Sequence, residues 1–215
     1  MRLISVLICD DHLIVRQGIR QVLADAPDIE VAGEAANGPD ALMRVREGGI
    51  DVVLMDIAMP HRDGLDVLRQ LKSEFPKLPV LMLSTYPDKQ YAVRSMKLGA
   101  VGYLNKSADS EQMIGAIRKV AAGGLFITPA VAEHLASALH AGHAEDKPLH
   151  ERLSHREYQV FRLLSLGRSV GEIAGQLSLS PNTVSTYRAR ILEKTGVRND
   201  VELALYAVKQ ELTQV

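Results

Sequence analysis

Residues 52–64 read Val52-Val53-Leu54-Met55-Asp56-Ile57-Ala58-Met59-Pro60-His61-Arg62-Asp63-Gly64, or VVLMDIAMPHRDG. Its four leading apolar residues are typical of a strand covered on both faces, as in the middle of a parallel sheet. A turn residue is expected next, but Asp56 stands there and the Asp63-Gly64 turn signal comes only later. A carboxylate at the end of a buried strand therefore needs a chemical explanation.

Similar apolar runs occur five times before about residue 122 and alternate with segments of helical periodicity. Parallel strands need helical crossovers, so five such repeats predict an α/β domain with a flavodoxin-like, doubly wound, five-stranded parallel sheet. The predicted strands are 5–9, 29–35, 52–55, 80–83 and 101–104.

The pattern changes after Gly123-Gly124. Residues 130–141 predict one further helix, residues 142–148 are polar with a proline, and only helical patterns follow residue 153. We therefore expect three regions: an α/β domain at 1–122, a linker with one helix at 123–151, and an all-α domain of four helices at 152–215.

The composition is that of a globular protein without a membrane segment. Apolar residues make up 47% of the 215 residues and charged residues 24%. The single cysteine, Cys9, excludes an intramolecular disulfide and predicts a cytoplasmic protein. From residue 151 onward nine basic residues stand against seven acidic ones, which permits nucleic-acid binding without proving it.

Acidic residues follow two strands that are neighbours in the flavodoxin-like order. Asp10 and Asp11 follow the first strand and Asp56 follows the third, at the sheet edge where ligands bind. At about 5 Å and an effective dielectric near 20, each pair of carboxylates repels by roughly 3 kcal/mol. The cluster therefore needs protons or a counter-ion, most naturally Mg²⁺.

A hydroxyl and an ammonium group join the same edge, since Ser84-Thr85 follow the fourth strand and Lys106 follows the fifth. Such a set is typical of phosphoryl transfer, with Asp56 as the nucleophile. Taken singly, Ser84 is explained as a helix cap and Lys106 as a solvated side chain. The beginning of the first helix predicts a packing or capping role for His12.

On these motifs residues 1 to about 122 resemble the receiver domain of two-component response regulators. The resemblance implies that Asp56 accepts a phosphoryl group from a histidine kinase and that Ser84 and Lys106 contact its oxygens. It also implies that Mg²⁺ is bound by Asp11, Asp56 and the main-chain carbonyl of Ala58, with help from Asp10. The matching residues are Asp10-Asp11-His12, Arg16, Gly18, Asp56 within residues 55–60, Asp63-Gly64, Ser84, Tyr103 and Lys106.

Two positions within this resemblance stay open. Tyr103 matches the rotating aromatic residue that couples the site to the fourth helix and fifth strand, yet an isolated tyrosine there would belong to the core. Many receivers have a cis proline after the lysine, whereas this chain has Ser107, so the geometry of that peptide is undecided.

The all-α domain contains a predicted helix-turn-helix. The four helices of the domain are expected at 155–166, 170–177, 181–194 and 200–212, and the middle two form this motif. Ser154 and Glu157 predict a capping box at the start of the first helix, and Pro181 stands at the first position of the third. One face of the third helix is small and polar, which suits the major groove, although any surface helix has a polar face. The predicted DNA contacts are Asn182, Thr183, Ser185, Thr186, Ala189, Arg190 and Lys194.

Residues 152–212 resemble the four-helix DNA-binding domains of the LuxR/NarL class, so the whole chain resembles response regulators of the NarL/FixJ type. The matching residues are Leu153-Ser154, Arg156-Glu157, Gly167, Glu172-Ile173-Ala174, Leu177, Leu179-Ser180, Thr183-Val184, Tyr187, Ile191-Leu192, Lys194 and Glu202-Leu203. Gly171, Gly175 and Thr195 depart from the pattern. The resemblance implies promoter DNA as a partner and a homodimer that reads half-sites about 10 base pairs apart.

In the last helix the expected core stripe is Val201, Ala204, Leu205, Val208 and Leu212, with Leu203 and Tyr206 off it. Whether this helix also supplies the dimer contact is left open.

Two other functions are compatible with parts of this pattern. A phosphatase of the haloacid-dehalogenase type also uses a strand-end aspartate with Mg²⁺, but its second acid is replaced here by Ala58. In the other alternative, the helical domain binds a protein instead of DNA. The sequence favours a phosphorylation-controlled transcription regulator and not an enzyme.

Overall fold

The computed structural model describes residues 3–59, 63–84, 89–129, 131–133, 136, 149–177, 179–210 and 212. The chain forms two compact units, Met1–Ser137 and Ala138–Val215. No helix among these described residues has the length and apolar character that a membrane span requires.

The first unit is a five-stranded parallel sheet with the order β2-β1-β3-β4-β5. This order confirms the predicted flavodoxin-like fold. Each strand boundary differs from its prediction by at most one residue, so Asp56 and Ser84 are the last residues of their strands. The elements are β1 Ile4–Cys9, α1 Leu13–Ala24, β2 Ile29–Ala35, α2 Gly38–Glu47, β3 Val52–Asp56, α3 Gly64–Glu74, β4 Val80–Ser84, α4 Lys89–Lys97, β5 Gly102–Asn105 and α5 Ser110–Ala121.

The core of this unit lies on the central strands. All five residues of β3 and of β4 are buried, as their continuous apolar runs predict. The outer edge of β5 is covered by the segment around Phe126. The main-chain N–H of Tyr103 donates to Phe126 O at 3.2 Å, and that of Phe126 donates to Val101 O at 2.9 Å.

The second unit contains a short 3-10 helix, Leu149–Arg152, and the four predicted helices: α6 His155–Ser165, α7 Val170–Gln176, α8 Pro181–Thr195 and α9 Asp200–Lys209. The predicted capping box of Ser154 and Glu157 is present at the start of α6. A second box, of Ser169 and Glu172, begins α7. Ser180 caps α8, and Pro181 occupies its first turn as predicted.

The predicted core stripe of α9 is wrong. Val201, Leu205 and Val208 are 70%, 66% and 59% exposed, whereas Leu203 is fully buried. The helix packs through Leu203 and Ala207 instead, and the hydroxyl of Tyr206 lies 3.0 Å from His150 Nδ1. The prediction followed the longer apolar row, but the helix is oriented by this tyrosine and the small residue beside it.

Some predictions fall outside the described residues. They concern most of the helix expected at 130–141, of which residues 131–133 and 136 are described and helical, and the linker at 142–148. They also concern Thr85 and Ser178, together with residues 60–62 of the opening stretch.

Candidate functional site

Three carboxylates meet at the carboxyl ends of β1 and β3. Asp10 and Asp11 follow β1, Asp56 ends β3, and these strands are neighbours in the sheet. One ligand atom from each of these aspartates and from His12 lies within 4.8 Å of the others. Asp10 is fully buried and Asp56 is 2% exposed. The sequence therefore predicted this convergence correctly.

Lys106 supplies positive charge to the cluster. Its Nζ lies 2.6 Å from Asp10 Oδ2 and 3.0 Å from Asp56 Oδ1. Burial would lower the pKa of Lys106, but the two carboxylates outweigh burial and raise it. Burial raises the pKa of Asp56; Asp10 adds to this rise, and Lys106 together with the main-chain N–H of Ala58 opposes it. Lys106 is therefore a cation that pairs with the carboxylates of both Asp10 and Asp56.

Three buried carboxylate oxygens of the cluster have no hydrogen bond from the described residues, and one of them, Asp10 Oδ2, lies against Lys106 Nζ at 2.6 Å. Asp56 Oδ2 and Asp11 Oδ1 are buried, and neither accepts a hydrogen bond from any residue that the structure describes. A buried charged oxygen needs a partner, and carboxylate oxygens are the ligands that Mg²⁺ prefers. This acidic pocket is therefore typical of a Mg²⁺ site.

The other predicted residues surround this cluster. Ser84 ends β4 and is buried, and its main-chain carbonyl accepts the N–H of Lys106 at 2.8 Å. Ala58 lies two residues beyond β3 and is exposed. Tyr103 is 7% exposed within β5, opposite Met82. The Lys106-Ser107 peptide is trans, because the described residues contain no cis bond.

The role predicted for His12 needs correction. His12 occupies the N-cap position of α1, yet its side chain makes no capping hydrogen bond and is 65% exposed. Its main-chain N–H donates to Asp10 Oδ1 at 2.9 Å. Nδ1 lies 2.9 Å from Asp11 Oδ1.

Sequence reasoning overlooked Asn105, which shapes the loop that carries Lys106. Asn105 Oδ1 accepts the N–H of Ser107 at 2.8 Å and its hydroxyl at 2.6 Å. An asparagine that binds the main chain two residues later is a recognised turn signal, so the Asn-Lys-Ser order could have indicated this turn.

Arg16 is a residue of the receiver motif for which the sequence predicts no contact. Its Nη1 donates to the carbonyl of Asp10 at 2.7 Å.

The predicted face of α8 is accessible. Val184 and Ile191 are fully buried, whereas Asn182, Ser185, Thr186, Ala189 and Arg190 are exposed. Tyr187, which was not among the predicted contacts, lines an open concavity together with Asn182, Thr183, Thr186 and Arg190.

Three predicted contacts on α8 already have intramolecular partners. The hydroxyl of Thr183 lies 2.8 Å from the cap Ser180 Oγ, and the hydroxyl of Thr186 donates to the carbonyl of Asn182 at 3.0 Å. Lys194 Nζ donates to both oxygens of Glu157, at 2.9 and 2.7 Å. Arg190 makes no ion pair with any described residue, so its charge faces solvent.

Known proteins match both units. The family model of the response regulator receiver domain matches residues 6–118, and that of the luxR family of bacterial regulatory proteins matches residues 151–207. The chain is 42% identical over 207 residues to the response regulator GacA of Pseudomonas aeruginosa, covering 96% of each chain. It is 37% identical over 210 residues to the response regulator UvrY of Escherichia coli K12, covering 98% of this chain and 96% of UvrY.

One of the similar solved structures is a complex with a promoter. RcsB of Salmonella enterica serovar Typhimurium, bound to the promoter P1flhDC in the presence of the phosphomimetic BeF3⁻, is similar with a TM-score of 0.64 and 27% identity. The likeness covers 94% of this chain and 97% of that chain.

Proposed function

Because the chain belongs to the two-component response regulators with a LuxR-type DNA-binding domain, we propose that phosphorylation of Asp56 by a histidine kinase controls its binding to promoter DNA. Members of this family regulate transcription and are not enzymes, which sets the phosphatase alternative aside. In this proposal residues 1–122 act as the receiver, 123–151 as the linker and 152–215 as the DNA-binding domain, in the cytoplasm.

The observation that carries this proposal is the convergence of Asp10, Asp11, Asp56 and Lys106 at one sheet edge. An oxygen of Asp56 forms a bond to phosphorus while the bond from phosphorus to the donor histidine nitrogen breaks, and that nitrogen retains the electron pair. Lys106 lies 3.0 Å from Asp56 Oδ1, where its charge can stabilise the phosphoryl oxygens together with Ser84.

The proposed cation is Mg²⁺, held by Asp11, Asp56 and the carbonyl of Ala58, with Asp10 in support. When bound, it neutralises charge on the phosphoryl oxygens. The buried, unsatisfied oxygens of Asp11 and Asp56 support this assignment. Tyr103 is proposed to couple the phosphorylated site to the surface formed by α4 and β5.

For DNA we propose that α8 enters the major groove. Asn182, Ser185, Ala189 and Arg190 present the exposed side chains for base and phosphate contacts, and Thr183 and Thr186 flank them. Lys194 is proposed to contact a DNA phosphate while it keeps its ion pair with Glu157. A second copy of the chain is proposed to bind through Val201, Leu205 and Val208, because these exposed apolar side chains lie at i, i+4 and i+7 on α9.

The acceptor is tested by incubating the chain with a small-molecule phosphodonor and Mg²⁺. We expect the wild type to incorporate phosphate and Asp56→Asn to lose incorporation. Asp25→Asn, an exposed aspartate at the end of α1, serves as the control and retains it. Incorporation by Asp56→Asn at the wild-type level would contradict the assignment.

The interface is tested by gel-shift with genomic fragments. Arg190→Ala should weaken retention about 5- to 160-fold, by about 1–3 kcal/mol for a lost base contact. Arg168→Ala, just before α7 and paired with Glu172, should leave retention unchanged. Equal retention by Arg190→Ala and the wild type would favour the alternative in which the helical domain binds a protein.

A further inference from the structure

Arg16 connects the end of β1 to the neighbouring strand β2. Its Nη1 donates to the main-chain carbonyl of Asp10 at 2.7 Å, and its Nε donates to Glu34 Oε2 at 2.9 Å. Glu34 lies in β2 opposite Ile8 of β1, so both acceptors lie at the carboxyl ends of neighbouring strands. The side chain of Arg16 is only 12% exposed. One guanidinium group therefore links β2 to the first residue of the acidic cluster.

Glu34 fixes the orientation of this guanidinium group. Its other oxygen, Oε1, accepts from Arg20 Nε at 2.9 Å and also from Arg20 Nη2. The hydrogen bonds from Arg20 and Arg16 hold the pKa of Glu34 below its ordinary value, against the effect of burial. Glu34 is therefore a carboxylate with a cation on each oxygen. Because the guanidinium is planar and rigid, the bond from Nε to Glu34 also sets the direction of Nη1.

The main chain of Asp10 is held on both sides. Its N–H donates to the carbonyl of Ala35 at 3.1 Å, and its carbonyl accepts from Arg16. That carbonyl belongs to the planar peptide unit between Asp10 and Asp11, so the contact fixes the main chain from which both acidic side chains extend. The carboxylate of Asp10 in turn pairs with Lys106 Nζ at 2.6 Å. Arg16 therefore acts on two acids of the cluster through their main chain.

The charge of Arg16 by itself predicts the opposite effect on a bound cation. A guanidinium near a Mg²⁺ site repels the ion, so its removal would strengthen Mg²⁺ binding. A side chain that orients the ligands strengthens binding, and losing such a contact typically weakens metal affinity by about 10- to 100-fold. The sign of the change in affinity therefore separates the two roles.

We propose that Arg16, oriented by Glu34, is a positioning residue that sets the Mg²⁺ affinity of the acidic pocket through the peptide between Asp10 and Asp11. The inference rests on the proposed function, because the same carboxylates hold Mg²⁺ there. It adds a residue that lies outside the set of ligands and is not the phosphoryl acceptor.

The first test is calorimetric titration of the full chain with Mg²⁺ in the absence of a phosphodonor. Arg16→Ala should weaken Mg²⁺ binding about tenfold. Arg20→Ala is the matched control, because it removes the other cation on Glu34 and keeps the bond from Arg16 to Asp10. This control should stay within about twofold of the wild type. Unchanged or tighter binding by Arg16→Ala, or equal losses in both variants, would overturn the inference.

Arg16→Lys separates the charge from the geometry. It keeps the cation and the aliphatic part of the side chain, so the variant should fold. One ammonium group replaces two separate nitrogens of the planar group, so Mg²⁺ binding should still weaken by at least about threefold. Wild-type affinity in Arg16→Lys would show that the charge alone is sufficient, which overturns the inference.

Phosphate incorporation from a small-molecule donor gives a kinetic readout. Arg16→Ala should raise the Mg²⁺ concentration for half-maximal incorporation about tenfold, and the rate at saturating Mg²⁺ should stay within about twofold. A lower saturating rate with an unchanged Mg²⁺ requirement would assign Arg16 to the transfer step and overturn the inference.

The two proposals fail separately. Phosphate incorporation by Asp56→Asn would refute the acceptor assignment and leave the order of Mg²⁺ affinities intact. Wild-type Mg²⁺ affinity in Arg16→Ala, with incorporation that still requires Asp56, would refute the positioning role alone. A chain that binds no Mg²⁺ would refute both.

Discussion

Gly64 is the first residue of α3 and lies against the end of the strand that carries Asp56. A Cβ at this position would lie 1.9 Å from the main-chain oxygen of Asp56. The N–H of Gly64 donates to Ile57 O at 2.9 Å, and Asp63 caps α3 by accepting the N–H of Leu65 at 2.9 Å. The Asp-Gly pair thus lets a helix begin directly against the end of β3.

Gly64→Ala should therefore destabilise the first unit by about 1–3 kcal/mol, because the added methyl group forces the backbone of Asp56 to move. Urea unfolding measures this change. The control is Gly115→Ala in α5, where a Cβ meets nothing within 4 Å. That variant should stabilise by roughly 0.5–1 kcal/mol. Similar free energies of unfolding for the two variants would contradict the steric argument.

Asn105 acts one residue before the lysine of the site. Its side chain closes a turn over Lys106, in the loop where many receivers carry a cis proline. Asn105→Ala should slow phosphate incorporation about fivefold, as expected if about 1 kcal/mol of positioning is lost.

Ser107→Ala is the matched control for this turn. It removes only the hydroxyl contact of 2.6 Å and keeps the main-chain one of 2.8 Å, so its effect should be smaller. A larger effect for Ser107→Ala would show that the hydroxyl, and not the turn, positions the lysine.

At the scale of elements, the ion pair between Glu157 and Lys194 ties the start of α6 to the end of α8. Glu157 also accepts the N–H of Ser154 at 2.7 Å. Burial alone would raise the pKa of Glu157, but Lys194 and Ser154 outweigh burial and hold it below its ordinary value. The carboxylate therefore stabilises the second unit in its charged form.

This pair makes the stability of the second unit depend on pH. The folded pKa is lowered, so the stabilisation is complete above the ordinary glutamate pKa of about 4.3 and is lost as the pH falls through the folded pKa. Hydrogen exchange of α6 and α8 in the full chain, at about pH 3.5 and about pH 6, should show this loss in the wild type.

Glu157→Gln should remove most of that pH dependence. Glu172→Gln removes the equivalent carboxylate of the second capping box. Because Glu172 is 55% exposed, this variant should change the pH dependence less than Glu157→Gln does. An undiminished pH dependence in Glu157→Gln would assign the effect to other groups.

Element type and order could be predicted from the sequence because buried parallel strands and amphipathic helices have distinct periods. The convergence of Asp10, Asp56 and Lys106 followed from that order, since strand ends share one edge. The orientation of α9 could not be predicted, because both of its faces are apolar and the contact between Tyr206 and His150 joins residues distant in sequence. The ion pair of Lys194 with Glu157 was not predicted either, because these two residues are also distant in sequence.

At the scale of the whole molecule, self-association is expected to depend on the exposed apolar row of α9. Leu205→Asp should weaken binding to a two-half-site promoter fragment by at least about tenfold, or 1.4 kcal/mol, while a single half-site is bound normally. Because Leu205 is 66% exposed, the variant should fold. Gel-shift titrations with the two fragments measure the difference.

Gln210→Asp adds the same charge at the exposed end of α9, away from this row, and should leave binding unchanged. If Leu205→Asp binds the two-half-site fragment as tightly as the wild type, the dimer forms through another surface.

The segment that covers β5 has a consequence for handling the protein in concentrated solution. A bare outer strand offers its amides to another chain and can nucleate fibrils. Here Phe126 occupies those positions, and Gly102 admits it, since a Cβ there would lie 2.7 Å from the carbonyl of Phe126. Storage without aggregation therefore depends on Gly102, because a side chain at this position would displace Phe126 and open the strand to neighbouring molecules.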